Sequence, residues 1–363
     1  MTWRMGLAVA ASLLAGGCAQ IDYYYQAAQG QFALLSGARP IDDWLADPGV
    51  GEKLKARLTK VREIRRYAAR ELGLPDSNSY TNYADLKRPY VLWNVVATPE
   101  LSMQPAQWCF PIAGCVNYRG YYNKQEALDY AAVLRKAGYD VQMSGVAAYS
   151  TLGWFNDPVL STFIQYPDGE LARLVFHELA HQVAYARNDT QFNESFATTV
   201  EELGVERWMA AHGDAAMREN FLAFDGRKRD FLALLVKYRK LLVANYARPV
   251  GDGDKRREKG KLFAALKDEY LVLRTAWGGY AGYDRWFAEP LSNAHLAAVA
   301  SYHDYVPAFR ALMTEQKTLA RFYGATRKMA ALEPAQRNMQ LAQLTRNATL
   351  ASVDVSMTSA IKR

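Results

Sequence analysis

Long apolar runs are what this chain lacks most. Beyond its first twenty residues none is long enough to cross a bilayer, although 50% of the 363 residues are hydrophobic. The apolar content therefore goes to a core, large enough for one big domain or two. Internal repeats and low-complexity tracts are absent as well, so no stretch reads as a stacked array or an unfolded linker. Basic residues exceed acidic ones by a net +7, yet they are scattered through helical stretches, with one short cluster at Asp254–Lys261. That dispersion speaks for a solvated surface and against a nucleic-acid partner. A weak attraction to anionic membrane is compatible with it.

Histidine is scarce, with 5 residues in the whole chain, and two of them fall in His177-Glu178-Leu179-Ala180-His181. Chance supplies about 0.004 such patterns in a chain of this composition. On a helix, residues four apart lie about 40° apart around the axis, so both imidazoles leave one face. Glu178 follows His177 by about 100°, within reach of a water held at the same point. Two neutral nitrogens and a carboxylate base are the zinc-peptidase arrangement. Apart from Arg173, Gln182 and the motif, Leu171–Ala186 is apolar or aromatic all round and reads as a buried helix. Burying these polar groups unpartnered costs kilocalories each. A zinc ion satisfies them better than a core helix with idle histidines.

A second helix is expected at Phe192–Trp208, capped by Asn188, Asp189 or Thr190. With Glu194 at zero angle, Thr198 lies near +40° and Glu201 near −20°, while Phe192, Phe196 and Leu203 occupy the opposite side. Glu194 is the expected third zinc ligand, leaving the fourth position to water. Asp189 is a rival, though an N-cap explains it more simply. A third histidine six residues after His181 is missing, because Arg187 stands there.

Cysteine is equally sparse at 3. The first twenty residues read as a targeting segment: Arg4 is the basic start, Met5–Leu14 the short apolar stretch, and Ala15-Gly16-Gly17 precede Cys18. This resembles a bacterial lipoprotein signal, with residues 1–17 removed and Cys18 lipidated. Leu14 stands one place early for that pattern, and an ordinary secretory signal is the alternative. Either exports the chain. Ala19 is not the Asp that marks inner-membrane retention, so the expectation is an outer-membrane lipoprotein facing the periplasm. In that oxidising compartment Cys109 and Cys115 are expected to form a disulfide around a Pro- and Gly-containing loop; a second metal site lacks further ligands nearby.

The expected fold is α+β and predominantly α-helical, zincin-like, with a small mixed sheet before the zinc helix. Helices are expected at Ile21–Leu35, Glu52–Leu72 and Gln125–Ala137, and strands at Tyr90–Ala97, Cys115–Tyr122 and Tyr139–Ala147. Val146–Phe155 is placed nearest the edge that receives substrate backbone. Downstream, helices are expected at Asp230–Tyr246, Leu262–Ala276, Asn293–Tyr305 and Pro307–Phe322. Pro249–Lys261 reads as an exposed loop, and the last thirty residues as peripheral. The regions are 18–88, helical; 89–210, catalytic core; and 211–363, helical.

Several stretches together resemble a family of bacterial lipoproteins described as putative aminopeptidases. They are Trp108-Cys109-Phe110-Pro111 with Cys115 and Tyr118-Arg119-Gly120-Tyr121, and Ala148–Phe155 with Asp157-Pro158. His177–Gln182, Phe192–Thr198 and Asn293-Ala294 with Tyr302 complete the set. The resemblance implies a gluzincin-type zinc metallopeptidase, held at the envelope by lipid and acting on peptides. Thr198 stands where better-known gluzincins carry an Asp that orients a zinc histidine, so Thr198 or Glu201 is left to serve. The Gly-x-Met-Glu-Asn strand that grips a substrate's free amine is absent, leaving Glu170, Glu201 or Glu202 as replacements.

The expected chemistry is peptide-bond hydrolysis, with Glu178 as general base. Tyr302, His303 and Tyr149 are candidates for the oxyanion donor, Tyr302 foremost. The alternatives are a zinc-containing envelope scaffold that cuts nothing and a zinc endopeptidase. A structural metal would need no Glu178 and would more often close a four-ligand shell.

Overall fold

The computed structural model describes residues 21–110, 114–297 and 305–361, with side chains to residue 347. Helix α1 covers residues 21–36, and β1 (Arg39–Pro40) leads into α2 (Ile41–Ala46) and α3 (Glu52–Arg70). Strands β2 (Asn82–Ala84), β3 (Leu92–Pro99), β4 (Trp108–Phe110), β5 (Gly114–Val116) and β6 (Arg119–Tyr121) follow. Next come α4 (Lys124–Lys136), β7 (Tyr139–Val146) and β8 (Val159–Leu160). The remainder is helical: α5 (Asp168–Ala180), α6 (Thr190–His212), α7 (Ala215–Ala247), α8 (Asp252–Ala276), α9 (Val306–Gln316), α10 (Leu319–Ala330) and α11 (Pro334–Ile361). Residues 293–297 are helical too. The chain is α+β and mostly helix, with small sheets.

The sheet that matters for the site has the order β6-β3-β7, antiparallel throughout, with Asn94 facing Gly120 on one side and Ser144 on the other. Strand alternation divides its faces. Trp93, Val95 and Ala97 of β3 pack with Ala127 and Ala131 of α4, while Leu92 and Asn94 line the cavity described below. The single strand expected at Cys115–Tyr122 is two short ones. β5 pairs with β4 and β6 with β3, so the chain changes partner at Asn117-Tyr118.

The largest core runs from Leu34 through the two site helices to Leu344. In α3 the stripe Leu58, Val61, Ile64 and Ala68 is fully buried, as its 3.6-residue spacing requires. Helix α6 comes close to α5 and to the segment just past α3 at Gly204, where an added Cβ would stand 2.8 Å from both Leu72 Cδ1 and Phe176 Cδ2. Gly204→Ala is therefore expected to destabilise the fold by about 1–3 kcal/mol despite its better helix propensity, since both neighbours are fully buried. Urea denaturation checks this. A stabilised variant would show that the helices can part freely.

Three expected elements need correction. Pro249–Lys261 is not a loop: α8 begins at Asp252, and the cost of Gly253 and Gly260 is outweighed. Asp252 and Asp254 sit at the positive end of the helix dipole, and Arg256 and Lys259 pair with Glu100 and Asp140 of the sheet region. The helix expected at Pro307–Phe322 breaks at Lys317, which is left-handed at φ 64°, and Thr318 caps its successor. Finally, the last thirty residues are not wholly peripheral. Leu341 and Leu344 of α11 belong to the core, and buried Arg337 bonds the Asp189 side chain at 2.8 Å.

Candidate metal centre

His177 lies in the last turn of α5, and His181 is its C-cap, at φ −60° and ψ −22°. The helix ends at Ala180, short of the expected Ala186. His181 keeps helical backbone angles, so the four-residue spacing still presents both rings together. Their centroids are 4.9 Å apart. The connection to α6 is short and pinned. Asn193 accepts from the Ala186 N–H at 2.7 Å and donates to its carbonyl at 2.8 Å, and Asp189 caps α6 by accepting from the Phe192 N–H. Asp189 is thus the cap, and Glu194, one turn into α6, faces the histidines.

The three side chains converge. His177 Nε2 stands 3.3 Å from one Glu194 carboxylate oxygen, and His181 Nε2 stands 3.8 Å from the other. The ligand atoms of the trio all lie within 4.8 Å of one another. Ligands about 2.1 Å from a tetrahedral centre are separated by about 3.4 Å, so the spacing suits a zinc-sized cation. The charges agree with that. Burial would raise the Glu194 carboxyl, but His181 and His177 beside it hold it below its ordinary value. Burial would lower His177, yet its bonds to Glu194 and Glu201 carry it well above; His181 is pushed down by burial to about 4. These buried groups fit a divalent cation.

Between Thr198 and Glu201, the geometry selects Glu201. Its carboxylate is 2.7 Å from His177 Nδ1. An ionised carboxylate only accepts, so Nδ1 keeps its proton, and it is the Nε2 proton, facing Glu194, whose loss would free a lone pair for a metal. Glu201 stays ionised: burial would raise it, but Lys228, His177 and Arg173 together bring it down to about 2. Arg173, the lone charge on the apolar face of α5, is 5% exposed and sits between Glu201 (3.7 Å) and Asp225 (2.8 Å). Its place four residues before His177 was a signal for this role. Lys228 and Asp225, on a distant helix, had none. Among the described residues, nothing bonds Nδ1 of His181. Glu201→Gln should weaken zinc binding about 10–100-fold, read by competition with a chelating dye. Unchanged affinity would reduce Glu201 to a packing role.

A cavity of about 300 Å³ opens onto this centre. Its walls include Leu92 and Asn94 of the sheet, Val146 at the end of edge strand β7 with Ala148, Tyr149, Ser150 and Leu152 beyond it, and Tyr23 and Ala27 of α1. The Val146–Phe155 expectation thus lands beside the site, and the contribution of α1 was unforeseen. Glu178 lines the cavity next to this trio, and burial, with Glu194 and Asp157 adding, pushes its carboxyl up to about 8. Asp157 is raised by burial to about 6 and accepts the Thr151 N–H.

A family model described as putative aminopeptidase matches residues 22–341. The chain belongs to that family. No curated protein and no solved structure matches it. The aminopeptidase-family match spans both helices of the centre, the sheet and α1, so the whole cavity lies within it.

The remaining expected site residues are distributed as follows. Cys109 and Cys115 are disulfide-bonded. Cys18, Tyr302 and His303 lie outside the described residues. Tyr149 lines the cavity, but its hydroxyl is engaged with Tyr122 at 2.6 Å and with Gln31. Glu170 is paired with Arg173, Glu201 is bound to His177, and Glu202 bonds Arg310. None of these three acids lines the cavity.

Proposed function

We propose that this aminopeptidase-family protein is a zinc-dependent peptidase, gluzincin-like in its ligand set and zincin-like in the placing of a sheet edge beside the ligand helix. The observation that carries the proposal is the convergence of His177, His181 and Glu194 at the floor of a cavity that Glu178 also lines. When bound, zinc would supply Lewis acidity, lowering the pKa of water and polarising the scissile carbonyl.

The chain's own residues do the rest. Glu178 takes the proton of the attacking water as the new C–O bond forms, and delivers it to the leaving nitrogen as the C–N bond breaks. Glu201 keeps the Nε2 lone pair of His177 pointed at the centre. The strand β7 edge and the segment after it offer backbone groups to an extended peptide. Export through residues 1–17 and a lipid anchor at Cys18, in the outer membrane facing the periplasm, complete the proposal.

A free-amine specificity is the family expectation. One observation favours an endopeptidase instead: among the described residues, the acids lining the cavity are Glu178 and Glu194, both already committed. A non-catalytic scaffold would have no use for Glu178 there. The test is a soluble form lacking residues 1–18, assayed for metal and against a peptide library with free or acetylated amino termini. One zinc per chain with cleavage is expected. Cleavage confined to free termini establishes the aminopeptidase, and equal cleavage of acetylated peptides the endopeptidase. Metal without any cleavage would leave the scaffold.

A further inference from the structure

The peptidase reading puts negative charge on the carbonyl oxygen as water adds, and that oxygen calls for a donor beyond the metal. Tyr149 is engaged elsewhere. Tyr118 is not. It lines the same cavity as His177, Glu178, His181 and Glu194, and Glu194 is the charged group that bears on its phenol most strongly, with Glu178 also near. The structure gives its hydroxyl no hydrogen bond to any described residue. A neutral phenol sharing a cavity with two carboxylates and two imidazoles, its proton uncommitted among the described residues, is a donor awaiting an acceptor.

The backbone on both sides of Tyr118 is fixed. Before it, β5 is joined to β4 by Cys109–Cys115, a directly facing pair. The Cys115 N–H donates to Asn188 Oδ1 at 2.8 Å, and Asn188 forms the left-handed turn (φ 65°) between His181 and Glu194. Gly114 presses onto that turn so closely that a Cβ would stand 2.3 Å from Asn188 Oδ1, and its own φ is +75°. After Tyr118, Gly120 pairs with Asn94 in the sheet, and its carbonyl accepts from Gln26 of α1. The disulfide hairpin is therefore clamped to the segment that joins the two ligand helices.

We propose that the Tyr118 hydroxyl donates the hydrogen bond that stabilises the developing oxyanion, and that the Cys109–Cys115 hairpin is the brace holding it there. The inference rests on the peptidase reading. Tyr118 keeps its proton throughout. The carbonyl π pair moves onto oxygen as the C–O bond forms and returns as the C–N bond breaks, while Glu178 carries the water proton across.

The experiment compares holoenzyme with Tyr118→Phe, which removes one oxygen, and with Tyr302→Phe. Tyr118→Phe is expected to keep one zinc and its melting temperature, to hold KM within about twofold, and to lose about 100-fold in kcat. Affinity for a phosphonamidate peptide, which mimics the tetrahedral oxyanion, should fall by the same factor. Affinity for an uncleavable ground-state peptide should not fall. Unchanged kcat and phosphonamidate affinity, a change in KM alone, or the whole loss appearing in Tyr302→Phe would each overturn the assignment.

The brace is tested by Cys109→Ser with Cys115→Ser in both backgrounds, or by phosphine reduction of the folded holoenzyme should the serine variant not fold. About tenfold loss of kcat is expected with Tyr118 present, and under twofold in Tyr118→Phe. Equal losses in both would remove the hairpin from the proposal. If the wild type cleaves nothing, the peptidase reading itself fails. Cleavage unaffected by Tyr118→Phe sinks this inference alone.

Discussion

Glu178→Gln is expected to retain one zinc per chain and to lose at least 100-fold in peptide hydrolysis. The amide matches the carboxylate in shape but cannot take a proton at neutral pH, and general-base catalysis is worth about 10²–10⁴-fold. A 100-fold loss corresponds to about 2.7 kcal/mol of barrier. Because Glu178 is not one of the converging ligand atoms, metal content should not follow activity down. Atomic emission on the dialysed variant, beside kcat/KM for one good peptide, separates the two. Activity equal to wild type would mean a contaminant or another base.

The same variant carries a pH signature in the metal-free protein. The folded Glu178 carboxyl is raised to about 8, so it favours the neutral form. Its contribution to stability is fully present below the unfolded value, near 4.3, and is lost as pH rises toward 8. Metal-free wild type should therefore lose stability across that window, and Glu178→Gln should flatten the decline. An identical slope in both proteins would place the titration elsewhere.

Glu194→Ala should empty the site. Two imidazoles remain, and the carboxylate that faces both of them is gone. Zinc content after dialysis is expected to fall well below one per chain, and hydrolysis to vanish with it. The wild type treated with chelator should lose activity likewise and regain it on adding zinc; the variant should not. Loading also stabilises the fold: free zinc at a thousand times Kd contributes about 4 kcal/mol, so the metal-dependent rise in melting temperature should disappear in the variant. His177 is held well above its ordinary value without metal, so it must release a proton to bind. Affinity should accordingly weaken as pH falls. A fully loaded Glu194→Ala protein would remove Glu194 from the ligand set.

Much of the centre was legible because helical periodicity is a local property. The spacing of His177 and His181, the polar face carrying Glu194 and Glu201, and the Asp189 cap each follow from neighbours within two turns. What sequence left open was contact between distant elements. Thr198 and Glu201 both point the right way on α6, and only the position of α5 against it brings Glu201 to His177. Lys228 and Asp225 reach Arg173 and Glu201 from α7, and Tyr23 reaches the cavity from α1. The α8 misreading had another source. Gly253 and Gly260 argue locally for a loop, and the pairs that overrule them, with Glu100 and Asp140, lie over a hundred residues away in sequence.

The first helix has a consequence of scale. Tyr23 stacks on Phe110, receives the Arg119 guanidinium at 4.0 Å and forms part of the cavity wall, while Gln26 bonds β6. Five chain steps separate it from position 18, at most about 18 Å of extended chain. A lipid attached there would keep the mouth on a short leash, so the enzyme would graze only on chains that come within a couple of nanometres of the bilayer.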